Sequence, residues 1–187
     1  ALILNGDRAS LALLSSGTGL LEAGTFSPEQ AFSLLSAYSP KELLVPSGQI
    51  KEIESLMENR EGVMILERER GEFSPRSGTS WLCRHWQIAS LRAMGIEDGD
   101  PATGAAAAVL RYLEETQFGQ ASHVAAVRPL HAEGSLILDE STQLNLELVL
   151  GNGPTLFSVL NRCHSPMGRR LMRDWILHPL ADLSLIL

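Results

Sequence analysis

The residues with the strongest claim on chemistry in this 187-residue chain form three groups: the acidic set Glu97, Asp98 and Asp100, the adjacent pair Cys163-His164, and the turn Gly17-Thr18-Gly19. Clustered carboxylates are what two-metal phosphodiester hydrolysis requires, because several oxygen ligands must hold the ions. A thiol beside an imidazole points to nucleophilic attack by a thiolate. A glycine-rich turn points to a phosphate cradle of backbone N–H groups. None of the three has the surroundings its chemistry needs. The acidic set sits in a Gly-containing loop between helical stretches, where the expected work is capping. Adjacent residues at a helix end point apart, so Cys163 and His164 do not face each other, and no orienting acid follows them. No Gly-Lys-Ser/Thr succeeds Gly17-Thr18-Gly19, which reads as a hairpin turn. The five histidines lack metal-ligand spacing, and the two cysteines, Cys83 and Cys163, lie far apart and read as reduced, inert thiols of a cytoplasmic chain.

Charge bears on nucleic acid. Up to Leu130 there are 11 Lys and Arg against 16 Asp and Glu, and from His131 onward 4 against 6, which divides the net −7 into −5 and −2. Neither part is the basic surface of a domain that neutralises many phosphates. With 44% hydrophobic residues the chain has ample material for a core. No apolar run reaches the ~18 residues of a membrane span, so no membrane partner is expected. The first and last segments, Ala1–Leu4 and Leu183–Leu187, are apolar runs. We therefore expect an interior piece of a larger parent.

The elements that must position these residues follow from pattern. Ala1–Leu4, Ser10–Leu14 and Leu20–Thr25 read as strands separated by the turn signals Asn5-Gly6-Asp7 and Ser15–Gly19, giving a three-stranded antiparallel meander. Ser27-Pro28-Glu29-Gln30 has the form of a helix start: Ser27 as cap, Pro28 at the first helical position and Gln30 closing a capping box. Glu42–Val45 is a short strand stopped by Pro46, Gln49–Met57 a helix, and Val63–Leu66 a continuous apolar strand suited to burial within a sheet. Helices are expected at Thr79–Met94 and Pro101–Thr116. Beyond Leu130 the pattern turns helical: Gly134–Leu138 as a last strand or link, Asp139 capping Ser141–Leu150, Thr155 capping Leu156–Arg162, and a helix opening at Ser165-Pro166 with Met167, Leu171 and Trp175 in one stripe. Periodicity alone supports an α/β chain with a mixed sheet, followed by an all-α part too short to build its own core.

The helix expected at Thr79–Met94 carries two apolar stripes. Leu82, Trp86, Ala89 and Ala93 should face the sheet. Trp81, His85 and Ile88 form a second stripe rotated by roughly 100°, more than a helix packed on one side of a sheet needs. Those three are the partner-binding candidates, since amphipathic aromatics are enriched at interfaces. Packing beneath the Gly71–Gly78 loop or a neighbouring helix is the plainer account.

The stretch from Leu138 to Pro179 resembles one family over many positions: Leu138-Asp139, Thr142, Asn145–Leu148, Thr155–Phe157, Val159-Leu160, Pro166–Leu171 and Trp175–Pro179. It is similar to the start of the core domain of the bacterial MutS DNA mismatch-recognition ATPases. Upstream, Ser39-Pro40, Glu42–Pro46 and Gly95-Ile96-Glu97 resemble the connector domain that precedes that core. The resemblance implies a connector over residues 1–134 with an RNase H-like mixed sheet (the antiparallel meander plus parallel strands, flanked by helices). Residues 135–187 would then be the truncated N-terminal part of a helical core or lever domain. It also implies a parent homodimer that kinks mismatched duplex DNA, exchanges ADP for ATP with Mg²⁺, becomes a sliding clamp and recruits MutL. The nucleotide site belongs to a later domain, so no cofactor, metal or catalytic residue is expected in this segment. An RNase H-like nuclease is the rival reading. It would need a carboxylate in the first strand, but Leu2-Ile3-Leu4 has none, Asp7 falls in the following turn, and Leu43-Leu44-Val45 ends in Pro46. A second rival is an independent nucleic-acid-binding module, which the charge balance disfavours.

Overall fold

The computed structural model describes residues 1–187 except 39, 58–61, 118–120, 131–135, 137, 139, 150, 152 and 182. The chain divides into two compact units, one of Ala1–Ala31 with Pro40–Leu130, the other of Phe32–Ser39 with His131–Leu187.

The first unit is built on a meander of β1 (Leu2–Asn5), β2 (Arg8–Ser15) and β3 (Leu20–Phe26), antiparallel throughout. Register places Ile3 opposite Ser10, and Ala12 between Ala1 and Ala23, so small side chains share one face of the sheet. The two turns work as their residues demand: Gly6 and Gly19 take φ of +62° and +71°, and a side chain at Gly19 would collide with the His123 backbone carbonyl. After α1 (Pro28–Tyr38) come β4 (Glu42–Pro46), α2 (Ile50–Leu56) and β5 (Met64–Arg68), with β4 and β5 parallel. The α1 capping box is present, Ser27 Oγ accepting from the Gln30 amide and Gln30 Oε1 from the Ser27 amide, each at 3.3 Å.

Strand β4 lies beside β1 without a ladder between them among the described residues. A side chain does the joining. Pairing alternates along an antiparallel strand, so Leu4, in a pair that exchanges no bonds with Ala9, turns its N–H and C=O away from β2. The Gln49 amide, at the N-cap of α2, meets both: its Oε1 accepts from the Leu4 N–H at 3.0 Å and its Nε2 donates to the Leu4 carbonyl at 2.6 Å.

A 3-10 turn at Arg70–Phe73, helix α3 (Pro75–His85), a second 3-10 turn at Leu91–Met94 and helix α4 (Ala102–Thr116) then cover the small-residue face. Helix α4 buries Ala102, Thr103, Gly104 and the run Ala105–Ala108, and Leu110 and Leu113 complete its inner side. Alanines let its backbone lie close to Ala12 and Ala23. Beyond it, β6 (Val127–Pro129) adds to β3 in parallel, so the larger sheet runs β1-β2-β3-β6. Pattern gave no sign of β6, because three residues ending in proline carry too little alternation to read.

Two expectations for this unit need correction. Met64 in β5 is 59% exposed and no residue of the strand is fully buried, because β5 pairs only with β4 among the described residues and so forms an edge. The helix expected at Thr79–Met94 starts at Pro75 and ends at His85. Its end is a Schellman closure: Gln87 takes φ 54°, its N–H bonds to the Arg84 carbonyl, and the Ile88 N–H bonds to the Cys83 carbonyl. Ala89 and Ala93 therefore leave the helix and are exposed, while Leu82 is fully buried.

The second unit is helical: α5 (Glu140–Asn145), α6 (Leu156–Leu160), α7 (Pro166–Leu177) and α8 (Leu183–Ile186). Thr155 caps α6 through its hydroxyl, as expected, and the helix expected to open at Ser165-Pro166 is α7, with the Ser165 hydroxyl accepting from the Gly168 amide. Helix α5 is shorter than the expected Ser141–Leu150, since Glu147 at φ 47° turns the chain away. Asp139 and most of Gly134–Leu138 lie outside the described residues. Met167, Leu171 and Trp175 are 69%, 50% and 67% exposed, an apolar stripe facing outward.

Candidate partner-binding face

The face that carries Trp81 is made by two helices crossing at unusually short range. A Cβ on Gly78 would stand 2.7 Å from the Thr103 carbonyl oxygen, and one on Gly104 would strike the Phe73 carbonyl. Gly78 thus lets α3 lie against α4, and Gly104 admits the 3-10 turn at Phe73 and the first residue of α3. Hydroxyls pin the crossing: Thr79 Oγ1 and Thr103 Oγ1 are 3.1 Å apart, and Thr103 Oγ1 also lies within hydrogen-bond reach of the Pro75 and Asp100 carbonyls. Past the helix end, the Trp86 indole N–H donates to the Val124 carbonyl at 2.9 Å.

On the outer side, Trp81 and His85 stack with ring centroids 5.1 Å apart, and the Arg111 guanidinium from α4 lies 4.9 Å from the Trp81 ring centre. His85 Nδ1 is 3.2 Å from the Glu114 carboxylate. Trp81 and His85 are half-buried, held by α4 yet open on one side. Ile88 is separated from them by the Schellman turn and packs half-buried against the core. The structure thus brings together two of the three candidates and places the third beyond the helix.

Pattern reading missed the arginines. Arg76, Arg84 and Arg111 line an open cleft of about 460 Å³ together with Ser74, Ser77, Ser80 and Trp81. Arg76, Ser80 and Arg84 recur every four residues, a spacing visible in sequence, but Arg111 joins them only through the helix crossing.

The acidic set has structural work. Asp98 accepts from the Ser90 hydroxyl at 2.6 Å and the Leu91 amide at 2.9 Å, and these bonds hold its carboxyl below the usual carboxylate range. Asp100 accepts from the Ala102 amide and the Thr25 hydroxyl, tying the start of α4 to β3. Glu97 pairs with Arg92. Burial, with a smaller contribution from the Asp98 charge, pushes the Cys83 thiol up, away from thiolate chemistry. Among the described residues no group of three or more His, Cys, Asp and Glu is placed to hold a metal ion, and no helix is long and apolar enough to cross a membrane.

Residues 1–125 match the family model for MutS domain II, and residues 141–187 match that for MutS domain III. The chain belongs to the MutS family. It is 36% identical, over 89% of its length, to the DNA mismatch repair protein MutS of Myxococcus xanthus. It is 31% identical, over 92% of its length, to the DNA mismatch repair protein MutS of Porphyromonas gingivalis. It covers 20% and 19% of those two proteins, so this MutS segment spans about a fifth of the curated relatives it matches. The α3–α4 face and its cleft lie wholly within the part that matches MutS domain II.

Proposed function

We propose that this chain is a non-catalytic connector in a MutS-type mismatch repair protein, joining mismatch-reading and nucleotide-binding parts and passing clamp-state changes between them. The observation that carries the reading is the tandem match to domains II and III in a chain whose clustered carboxylates are engaged as caps and ion pairs. The connector occupies residues 1–134 and the first part of the helical core residues 135–187. An RNase H-like sheet for the connector is supported by the β1–β3 meander, the parallel pair β4 and β5, and the position of β4 beside β1. In the whole cytoplasmic protein, a homodimer, other domains grip mismatched duplex DNA and bind ATP or ADP with Mg²⁺. The net charge of −7 favours that division of labour.

The face carrying Trp81 and His85 is a docking surface for MutL, with Ile88 packed beyond the end of the helix. An aromatic anchor at an interface contributes at least ~2 kcal/mol, so Trp81→Ala should weaken MutL binding more than tenfold. Because Trp81 is half-buried, the same change should remove roughly half of the ~3–5 kcal/mol that a fully buried Trp→Ala costs. The test pairs MutL affinity with the thermal midpoint of the variant. Unchanged affinity in a folded Trp81→Ala protein rules the docking role out.

A further inference from the structure

We infer that the cleft between α3 and α4 binds an acidic peptide segment, whose carboxylates are received by Arg76, Arg84 and Arg111. The inference rests on the reading that this face is a docking surface and names the chemistry of what docks.

Its first support is uncompensated charge. Arg76 and Arg84 are exposed, and neither has an acidic partner within ion-pair distance among the described residues. Among the described residues, Arg111 meets the Glu72 carbonyl, at 3.4 Å, and the face of the Trp81 ring. The nearby acids are already engaged, Glu72 and Glu115 with Arg68 and Glu114 with His85. In a chain of net charge −7, three guanidiniums around one cleft are a local reversal of sign.

Geometry supplies the second support. Arg76 and Arg84 stand two turns apart on α3, about 12 Å along the axis at 1.5 Å per residue, with Arg111 facing them from α4. A guanidinium grips a carboxylate through two parallel N–H donors. The Ser77 and Ser80 hydroxyls donate to the Ser74 and Arg76 carbonyls, so the anion is left to the arginines. The Trp81 ring, backed by the stacked His85, gives the cleft one apolar wall for the aliphatic part of the segment. A nucleic acid fits less well. A phosphate backbone needs a long basic track, and the cleft offers three guanidiniums in a chain of net charge −7.

The test titrates the isotope-labelled chain with a hexaglutamate peptide at low salt. Saturable amide shifts are expected at Ser77, Ser80, Trp81 and Arg84, with binding weakened at least tenfold in R76E/R84E and again by 0.5 M salt. R76Q/R84Q removes the charge without reversing it and should lose most of the same affinity. Equal peptide binding by the charge variants, shifts confined to other regions, or tighter binding by a single-stranded oligonucleotide of equal charge would each overturn the inference. MutL affinity separates it from the docking reading. Loss in Trp81→Ala with no change in R76E/R84E overturns the acidic anchor and leaves docking standing. No change in either variant removes both.

Discussion

Replacing Gly104 with alanine sets two calculable effects against each other. Helix propensity favours the change: glycine inside a helix costs up to ~1 kcal/mol relative to alanine. Packing opposes it. The new Cβ would strike the Phe73 carbonyl oxygen, stand 2.7 Å from the carbonyl carbon, and lie 3.3 Å from the Pro75 nitrogen. All three are backbone atoms, so no rotamer change relieves the contact. The segment that would have to move carries Phe73, which is 4% exposed, and the Pro75 carbonyl, which meets Thr103 Oγ1. Overpacking of this kind costs ~1–3 kcal/mol and sometimes more, and a backbone clash belongs at the upper end. The net expectation is a loss of about 2 kcal/mol, which corresponds to a melting-temperature drop of roughly 4–8 °C for a chain of this size. Denaturant unfolding followed by tryptophan emission in a Trp175→Phe background measures it, because Trp81 and Trp86 then report on α3 and its C-terminal end. Gly71, where a Cβ would meet nothing within 4 Å, is the control and should change by less than ~0.5 kcal/mol on substitution by alanine. If Gly104→Ala matches or exceeds the parent in midpoint at unchanged denaturant slope, the close approach of α4 to the Phe73–Pro75 backbone is refuted.

Gln49→Ala should cost ~1–3 kcal/mol, since it leaves the polar groups of Leu4, a residue 7% exposed, without their partner. Hydrogen exchange at the Leu4 amide is the direct readout, and unchanged protection would show that the strands are joined another way. The depressed Asp98 carboxyl contributes stability above the unfolded-state value of about 3.9 that is lost as pH falls through the lower folded value. Asp98→Asn should therefore show a shallower loss of stability from about pH 5 downward than the parent, and identical acid limbs for the two proteins would discount the Ser90 and Leu91 contacts.

The separate fates of Trp81, His85 and Ile88 show how far pattern reaches. Helical spacing put all three on one stripe, and Trp81 and His85 do stack. Ile88 left the stripe because the helix closes at a left-handed Gln87, a conformation that a non-glycine sequence gives no reason to expect. The three Ser-Pro helix starts, at Ser27, Ser74 and Ser165, were all present in the sequence, yet at Ser74 the apolar periodicity downstream drew the expected boundary to Thr79.

Sequence by itself determined what depends on neighbours along the chain: the meander and its turns, the capping box at Ser27, the caps at Thr155 and Ser165, and the capping role of the acidic loop. It also carried the family, because a long collinear set of residue types is a one-dimensional property. Tertiary structure alone decided the rest. The Gly78–Gly104 approach sets α3 on α4, brings Arg111 beside Arg76 and Arg84, and lays its guanidinium over Trp81. The Gln49 amide stands in for strand pairing across 45 residues of sequence. Both arise from the meeting of distant backbones, where a missing Cβ or one well-placed amide has an effect that local spacing does not encode.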